Sequence, residues 1–317
     1  MQVKCHARFT GEEGARAGGA GAGPALSRGF SGQFGTAPPS DSVRRVSRPP
    51  LKKSLGQHHL IDGALTRPLV RFLAPLPTEA GRVLEIGPGG GVLTAELLEA
   101  GARVVGWELD LQWAAFLGRR FRAAPLSLVV GDALEIAWGR LPVPTLVAGN
   151  LPYNVGTAIL ERLLPHHERV PRAAFLLQKE VVERLTARPG DEAYGSLSVL
   201  VAAYARATVL GKVKPGSFRP PPKVESAFVG LELHPPPLPA EEMPGFTGFV
   251  RLAFSKRRKT LRNSLASGWG PSGRQKAEAV LAAAGVGERV RAEELGLGEL
   301  LEIWRHAACN ESAPSDI

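Results

Sequence analysis

The residues that carry most chemical information are the four in the run Asn150-Leu151-Pro152-Tyr153. The residues before them, Thr145–Ala148, are typical of a buried strand, and a proline ends such a strand because it cannot donate a ladder hydrogen bond. Ligands of open α/β sheets bind at the carboxyl ends of strands. At that position the Asn150 side-chain oxygen and the Leu151 carbonyl can accept two N–H bonds, while Tyr153 stacks on a ring. The run therefore predicts a site for a planar base that carries an amino group.

A glycine-rich turn, Gly87-Pro88-Gly89-Gly90-Gly91, follows another predicted strand, Arg82–Ile86, and precedes a helix. Glycine permits positive φ and close approach of the backbone to a ligand, and a helix start offers free N–H groups. Glu108 ends the next predicted strand, 21 residues after Gly87, where a carboxylate can accept from ribose hydroxyls. NAD, FAD and S-adenosylmethionine enzymes all use such a pair, so it leaves the nucleotide cofactor open.

Two further features favour S-adenosylmethionine. Pro88 suits a loop that bends around an amino-acid group better than one that holds a pyrophosphate. Asp132 follows a third strand, Leu126–Val130, where it can accept from an adenine amino group. Acidic residues at the ends of three successive strands, Glu85, Glu108 and Asp132, with Asn150 on the fourth, are typical of a class I methyltransferase.

The elements that must position these residues alternate between short apolar strands and helices. This rhythm predicts a mainly parallel, Rossmann-like α/β sheet with helices on both faces. Ser198–Ala205 and Ser226–Leu233 are expected to be the last strands, with an antiparallel edge. Helical apolar spacing in Phe246–Leu265, Arg274–Ala284 and Gly298–His306 predicts a small all-helical C-terminal domain.

We expect five segments along the chain. They are a disordered extension (1–50), a methyltransferase domain (51–234), a Pro-rich linker (235–240), a helical RNA-binding domain (241–310) and a tail (311–317). Residues 1–50 are rich in Gly, Ala, Pro, Ser and Arg and have no sustained apolar period, as in disordered segments. The polyproline run that starts at Pro235 can continue neither a strand nor a helix, so it forms a stiff spacer.

The net charge of +9 over 317 residues favours a polyanionic partner. The densest basic run is expected to form a helix that contacts RNA phosphates, although it can also be a solvated helix face. Its members are Lys256, Arg257, Arg258, Lys259 and Arg262.

Composition also excludes several classes of protein. The two cysteines, Cys5 and Cys309, form no CxxC pair, and His58 and His59 have no apparent third ligand, so we expect no metal. A zinc adenine deaminase would need Cys-x-x-Cys and His-x-Glu motifs that the sequence lacks. No apolar run approaches the roughly 20 residues of a membrane span. We expect a monomeric protein of a reducing compartment, the cytoplasm, with the mitochondrion as the alternative.

Five blocks resemble the ribosomal small-subunit RNA adenine dimethyltransferase family. In the family's order they are Lys53–Leu60, Gln178–Val182, Tyr194–Ser198, Ser217–Ser226 and Phe254–Asn263. The resemblance implies dimethylation of two adjacent adenosines near the 3′ end of small-subunit rRNA, within a pre-ribosomal particle. It also implies six residues that contact S-adenosylmethionine: His58, Leu60, Gly87, Glu108, Asp132 and Asn150. His59 stands where the family usually has an aromatic or bulky apolar residue.

In the expected reaction, Asn150 and Leu151 accept the two amino hydrogens of the adenine, and Tyr153 and Phe218 stack on its two faces. No general base is assigned, because the methylated ammonium can lose its proton to solvent. The alternatives are an Erm-like methyltransferase of large-subunit rRNA and a methyltransferase fold that serves as an assembly or mitochondrial transcription factor. An NAD-dependent oxidoreductase explains neither the Asn150–Tyr153 run nor the basic run.

Overall fold

The structure, a computed structural model, describes residues 48–51, 58–75, 82–256 and 258–309. The strands of these ranges are β1 (His59–Leu60), β2 (Arg82–Ile86), β3 (Val104–Glu108), β4 (Leu126–Val130), β5 (Thr145–Asn150), β6 (Arg172–Gln178), β7 (Ala205–Val213), β8 (Phe218–Arg219) and β9 (Ser226–Leu233). The α-helices are α1 (Arg67–Leu73), α2 (Val92–Glu99), α3 (Leu111–Arg120), α4 (Gly156–Leu163), α5 (Lys179–Thr186), α6 (Ser196–Tyr204), α7 (Met243–Ala253), α8 (Leu261–Ala266), α9 (Gly273–Ala283) and α10 (Leu297–Cys309). No helix in these ranges is long and apolar enough to cross a membrane. The predicted tail and nearly all of the predicted extension lie outside the described residues.

Seven strands form one sheet in the order β4-β3-β2-β5-β6-β9-β7. The first five run parallel, and β9 and β7 continue the sheet in antiparallel pairing. The strand order reverses between β2 and β5, and in open α/β sheets ligands bind at this point, outside the carboxyl ends. The glycine turn after β2 and Asn150 at the end of β5 therefore meet at the expected binding edge.

Alternate residues of the central strands face two hydrophobic cores. Val83 and Leu146 pack on one side of the sheet with residues of α1 and α2. Leu84 and Val147 pack on the other side with residues of α4 and α5. Each fully buried aliphatic side chain contributes roughly 1.5–3 kcal/mol relative to an exposed one. Packing in the two cores fixes the ends of the strands, and these ends carry the site.

The expected strand over Ser198–Ala205 is wrong. Residues Ser196–Tyr204 form the helix α6, and the strand β7 begins only at Ala205. All five residues from Leu197 to Val201 are buried, so the helix lacks the polar face that marks a surface helix. Periodicity alone does not separate a buried helix from a buried strand. The strand Ser226–Leu233 is confirmed as β9, but β7 forms the antiparallel edge.

The expected single helix over 246–265 is also wrong, because two helices, α7 and α8, are separated by residues 254–260. Thr260 is the N-cap of α8, and its side-chain oxygen accepts from a backbone N–H of the first turn. Most of the basic run thus lies on a turn and not on a helix. The turn residues described are Lys256, Arg258 and Lys259, and Arg257 lies outside the described residues.

The C-terminal helices share a core with α6. Leu265 and Val280 belong to the same buried cluster as Val199 and Leu200 of α6. Residues 234–239 form neither helix nor strand, as expected for a linker. A division into separate domains at residue 235 stays a prediction, because α6 lies before the linker and contributes to the helical core.

Candidate functional site

The turn after β2 depends on the backbone freedom of glycine. Gly87 and Gly89 have φ values of +64° and +50°, which only glycine adopts without strain. The turn leads into α2, and the first N–H groups of a helix have no partner within it. The turn therefore offers a ligand both close approach to the backbone and hydrogen-bond donors.

Glu108, at the end of β3, braces this turn. Its Oε2 accepts from the Gly89 N–H at 2.9 Å, and its Oε1 accepts from the Asp110 N–H at 3.0 Å. Burial raises the pKa of the Glu108 carboxyl, and these backbone hydrogen bonds offset part of the rise. A carboxylate has about four lone-pair sites, so Glu108 can hold the turn and still accept from ribose hydroxyls.

Glu85 is a second buried acid beside the turn, and the sequence pattern includes it among the strand-end acids without assigning it a role in the site. It is 1% exposed, and it accepts from the Thr94 hydroxyl at 2.7 Å. Burial raises the pKa of Glu85 to about 8, with a further rise from the charge of Glu108 and a partial offset from Thr94. The carboxyl is therefore largely protonated at neutral pH. Its position inside the apolar run Val-Leu-Glu-Ile is the sequence signal that indicates its burial.

Asp132, after β4, is held in the same way as Glu108, by a nearby backbone group. Its Oδ1 accepts from the Leu134 N–H at 2.9 Å, where a short 3₁₀ turn begins. This hydrogen bond orients the carboxylate and leaves it further acceptor capacity. Asp132 can therefore accept from an amino group, as expected from the sequence.

One hydrogen bond determines which way the Asn150 amide faces. Asn150 Nδ2 donates to the His58 carbonyl oxygen at 2.8 Å. A carbonyl oxygen only accepts, so the NH₂ group must point to His58 and Oδ1 must point away from it. Asn150 thus presents an acceptor at the end of β5. The Leu151 side chain is buried in the core, so this residue can offer a ligand its backbone carbonyl.

Tyr153 follows Asn150 and contacts two distant parts of the chain. Its hydroxyl lies 2.7 Å from Ser226 Oγ at the start of β9. The imidazole of His58 stacks on its ring, with centroids 5.6 Å apart and planes at 23°. His58 Nδ1 donates to the Pro220 carbonyl at 2.8 Å. A planar side chain thus occupies one face of the ring that was predicted to stack on a base.

Phe218 does not reach the site, so its predicted role as the second stacking ring is wrong. Its side chain is 2% exposed and packs in the core with Phe228. The cause is the short ladder between β1 and β8, in which Phe218 pairs with Leu60. Successive side chains of a strand point to opposite faces, so Phe218 points inward and Arg219 outward.

His59, the residue that departs from the expected family pattern, covers the glycine turn. Its ring meets Trp113 edge to face, with centroids 4.5 Å apart, and its Nε2 would lie 2.8 Å from a Cβ added at Gly89. Burial lowers the pKa of His59 to about 4, helped by the charges of Arg48 and His58. The imidazole is therefore neutral at physiological pH and packs as an aromatic ring.

A cavity of about 280 Å³ lies at this edge of the sheet. The predicted site residues His58, Gly87, Glu108, Asp132, Asn150, Leu151 and Tyr153 line it. Leu60 lines a smaller neighbouring cavity together with Glu85 and Gly87. Except for Phe218, the structure thus brings the predicted cofactor and target residues together. Across the described residues, no group of three or more His, Cys, Asp or Glu side chains could hold a metal ion.

Comparison with known proteins agrees with this geometry. Residues 49–308 match the ribosomal RNA adenine dimethylase family. The chain belongs to this family. The family expected from the five sequence blocks and the class of fold are therefore confirmed.

Two curated relatives of this dimethylase are both called ribosomal RNA small subunit methyltransferase A. The protein from Synechococcus sp. (strain JA-3-3Ab) is 41% identical over 259 residues, which cover 80% of this chain and 91% of the relative. The protein from Methylococcus capsulatus is 40% identical over 260 residues, which cover 80% of this chain and 96% of the relative. Both matches extend over nearly the whole length of the relative.

Solved structures share the dimethylase fold. A dimethyladenosine transferase from Plasmodium falciparum has a TM-score of 0.65 and 24% identity, over 78% of this chain and 96% of that chain. The 23S rRNA methyltransferase ErmE has a TM-score of 0.59 and 26% identity, over 78% of this chain and 99% of that chain. The fold of this chain is thus found in one enzyme named for dimethyladenosine and in one named for 23S rRNA.

Of the basic residues predicted to contact RNA, Arg262 is placed differently from the rest. Its Nη1 lies 3.2 Å from Glu278 Oε1 and 2.8 Å from Glu288 Oε2, and its side chain is 19% exposed. Two carboxylates thus engage the guanidinium, which argues against a phosphate contact. Lys256, Arg258 and Lys259 are exposed on the turn between α7 and α8.

Proposed function

We propose that this dimethylase uses S-adenosylmethionine to methylate N6 of two adjacent adenosines near the 3′ end of small-subunit rRNA. The product would be N6,N6-dimethyladenosine at both positions. The orientation of Asn150 carries the proposal, because its Oδ1 is an acceptor at the end of β5 beside the stacking ring of Tyr153. The names of the two relatives support small-subunit rRNA as the substrate. The choice of nucleotides rests on the resemblance of the five blocks.

The chemistry of the main cavity fits S-adenosylmethionine. A nucleoside needs acceptors for its ribose hydroxyls and its adenine amino group, and Glu108 and Asp132 offer carboxylates that backbone N–H groups already orient. The amino-acid part needs close approach to a backbone, which Gly87 permits through its positive φ. Bound S-adenosylmethionine supplies an electrophilic methyl group on a positively charged sulfur.

Asn150 and Leu151 would act on the target amine by alignment. The lone pair of adenine N6 is delocalised into the ring, so the amine is a weak nucleophile. Two acceptors, Asn150 Oδ1 and the Leu151 carbonyl, favour a pyramidal nitrogen and direct its lone pair into the cavity. Alignment of this kind can supply about 7–11 kcal/mol of the barrier. The product ammonium can lose its proton to solvent, so no side chain is assigned as base.

Tyr153 would hold the target base by stacking, which is worth roughly 1–3 kcal/mol per base. Extrusion of a base from its stack costs a few kcal/mol, so this contact offsets much of that cost. His58 now stacks on the Tyr153 ring, and its imidazole marks the place that a planar base can take. We propose that the base replaces the His58 ring there, which releases the ring from Pro220 while the pairing of β1 with β8 keeps the loop in place, and that Phe218 has no part in the stack.

The RNA is expected to extend from the cavity towards Lys256, Arg258 and Lys259, which are exposed on one turn. Lysine and arginine bind phosphates largely through charge, so this contact would be independent of base sequence. We propose that the enzyme acts as a monomer on a small-subunit precursor in the cytoplasm of a bacterium. The bacterial origin of the two curated relatives supports this location.

An Erm-like activity on large-subunit rRNA is the second candidate. The likeness to ErmE, with 26% identity and a TM-score of 0.59, favours it specifically. The same cavity would serve both reactions, so the RNA substrate alone separates them. A role as a non-catalytic assembly factor is less favoured, because Gly87, Glu108, Asp132 and Asn150 all line the cavity.

A methyl-transfer assay tests the proposal directly. The purified protein would be incubated with radiolabelled S-adenosylmethionine and with either immature small subunits that lack adenine methylation or naked large-subunit rRNA. Nucleoside digestion should give labelled N6,N6-dimethyladenosine from the small subunits. Label only in the large-subunit RNA would support the Erm-like activity. Measured cofactor binding without transfer to either RNA would contradict both and favour an assembly role.

A further inference from the structure

A second basic surface lies beside Tyr153, separate from the turn at 256–259. We define the basic rim as four exposed cations: Lys212, Lys214, Arg219 and Lys223. Val213, the last residue of β7, lies between Lys212 and Lys214 and pairs with Ser226 of β9. Ser226 Oγ lies 2.7 Å from the Tyr153 hydroxyl. Sheet pairing thus brings the end of β7 to the edge where the target base would enter.

The loop after β7 is fixed to the same edge. The Pro220 carbonyl accepts from His58 Nδ1 at 2.8 Å, and β8 pairs with β1. Along this loop Phe218 and Pro222 are buried, while the rim residues Arg219 and Lys223 are exposed. The loop therefore holds its cations on the solvent side of the target residues.

The acids beside the rim do not neutralise it. Glu225 forms an ion pair of 3.0 Å with Lys179, and its pKa is lowered first by Lys179 and then by the charges of Lys212 and Lys214. These lysines are therefore close enough to act on one carboxylate. Glu183 also faces Lys179 and helps to raise its pKa. With Lys179, two acids stand against five cations.

The rim also differs from most of the chain in that three of its four cations are lysines and not arginines. Between residues 82 and 309 the chain contains seven lysines, of which three belong to the rim and two to the turn at 256–259. Elsewhere most cations are arginines, and several pair with glutamates, as Arg206 does with Glu232 and Arg251 with Glu161. Lysine binds phosphate as a compact point charge, and an arginine whose fork is held by a carboxylate is less available to a phosphate. Five of these seven lysines thus lie on the rim or on the turn at 256–259.

We infer that Lys212, Lys214 and Lys223 bind the RNA phosphates on either side of the extruded adenosine. This inference rests on the proposed function. The phosphates next to an extruded nucleotide stay covalently attached to it, so they must lie at the entrance when its base stacks on Tyr153. The rim holds the strand that carries the target base, and the turn at 256–259 contacts RNA farther along.

The double variant Lys212→Gln/Lys214→Gln tests this role. Its binding to a short single-stranded RNA with two adjacent adenosines would be measured over a range of salt concentrations. The slope of log K against log[salt] should fall by about 1.4, since each lost phosphate contact removes about 0.7 for a single strand. In methyl transfer to immature small subunits, KM for the RNA should rise and kcat should stay near its wild-type value. Arg82→Gln/Arg103→Gln is the matched control, because both arginines are exposed at the amino ends of β2 and β3.

Glu225→Gln should change RNA binding in the opposite direction. Loss of this carboxylate releases Lys179, so RNA binding should tighten and its salt dependence should steepen. An unchanged salt slope in both the Lys212→Gln/Lys214→Gln variant and Glu225→Gln would overturn the inference, and so would a fall in kcat of the double variant without a change in KM. If wild-type protein binds the oligonucleotide but methylates no RNA, the proposed function fails, while the salt slopes still decide whether the rim binds phosphate.

Discussion

The two halves of the cavity are held together over very different distances along the chain. In the cofactor half, Glu108 and Asp132 each bond to a backbone N–H two residues away, and Glu108 also bonds to Gly89, 19 residues away. In the target half, the hydrogen bonds Asn150–His58, Tyr153–Ser226 and His58–Pro220 span 92, 73 and 162 residues. The cofactor half is thus built within neighbouring parallel strands, whereas the target half exists only after remote segments have met.

The two halves should therefore respond differently to substitutions. Changes in the cofactor half should alter local electrostatics and leave the target residues in place. Changes in the segments β1 and β8 should disturb the target half as a whole, because His58 directly precedes β1 and Pro220 directly follows β8. Binding of a large RNA can hold these remote segments together, whereas a small cofactor binds better to a site that is already formed.

The largest effect is expected from Phe218→Ala, which removes the ring that anchors β8 in the core. Truncation of a buried phenylalanine typically costs about 3–5 kcal/mol, and Phe218 is 2% exposed. Urea unfolding should therefore show a loss of this size, and Phe218→Leu should lose much less. If stability were unchanged and methyl transfer were weakened, Phe218 would belong to the base stack, and the contrast between the two halves would not hold.

Phe218 also shows where prediction from the sequence ended. The residues Gly87, Glu108 and Asp132 were found because each follows its own strand, and parallel strands bring their ends to one edge. The inward direction of Phe218 depends on its pairing with Leu60. The residues of the Pro-rich loop do not by themselves determine that pairing. They therefore predict an aromatic residue in the loop but not the side to which its ring points.

The same limit applies to α6 and to the basic run. All of Leu197–Val201, including Ser198, is buried because the helix is enclosed between the sheet and the C-terminal helices, and that enclosure is a tertiary property. Arg262 was grouped with its basic neighbours, but Glu278 and Glu288 engage it from segments that the charge pattern could not place. The sheet and the cofactor half were predictable, and contacts between remote segments were not.

Asn150→Ala should have the next largest effect, and it tests the residue of the target half that would contact the reacting amine. Loss of one preorganised polar group at a reacting centre typically lowers kcat about 10²–10³-fold. Asn150→Asp keeps an acceptor but loses the N–H that donates to the His58 carbonyl, so it should recover only part of the activity that Asn150→Ala loses. Single-turnover methyl transfer at saturating cofactor would measure this order, with circular dichroism as the control for folding. Near-normal turnover of Asn150→Ala would remove Asn150 from the mechanism.

Tyr153→Ala should act mainly on the RNA, with a smaller effect. The stack is worth roughly 1–3 kcal/mol, so KM for the RNA should rise by about fivefold or more. Tyr153→Phe keeps the ring and loses only the hydroxyl contact with Ser226, a hydrogen bond worth about 0.5–1.5 kcal/mol. If both variants lost activity equally, the hydroxyl and not the ring would be the group that matters. Cofactor affinity should stay the same in both, since the two halves are held separately.

The smallest effect concerns Glu85 and tests the electrostatics of the cofactor half. Burial raises its folded pKa to about 8, from an ordinary value of 4.5, so between these values the folded protein holds a proton that the unfolded chain has lost. Stability must then fall as pH rises through this window. Between pH 6.5 and 7.5 the loss should be at most about 1.4 kcal/mol.

Comparison of the wild-type protein with Glu85→Gln isolates this contribution. The neutral amide has no proton to lose, so the difference in unfolding free energy between the two proteins should shrink or reverse sign as pH rises. His59 has the opposite dependence, because its folded pKa is lowered to about 4, but it gains a proton on unfolding only below its ordinary value of about 6.5. A slope that was the same in both proteins above pH 6.5 would mean that Glu85 is already ionised in the fold. Water or a cation would then reach the glycine turn, and the cofactor half would be less closed than the hydrogen bonds of Glu108 imply.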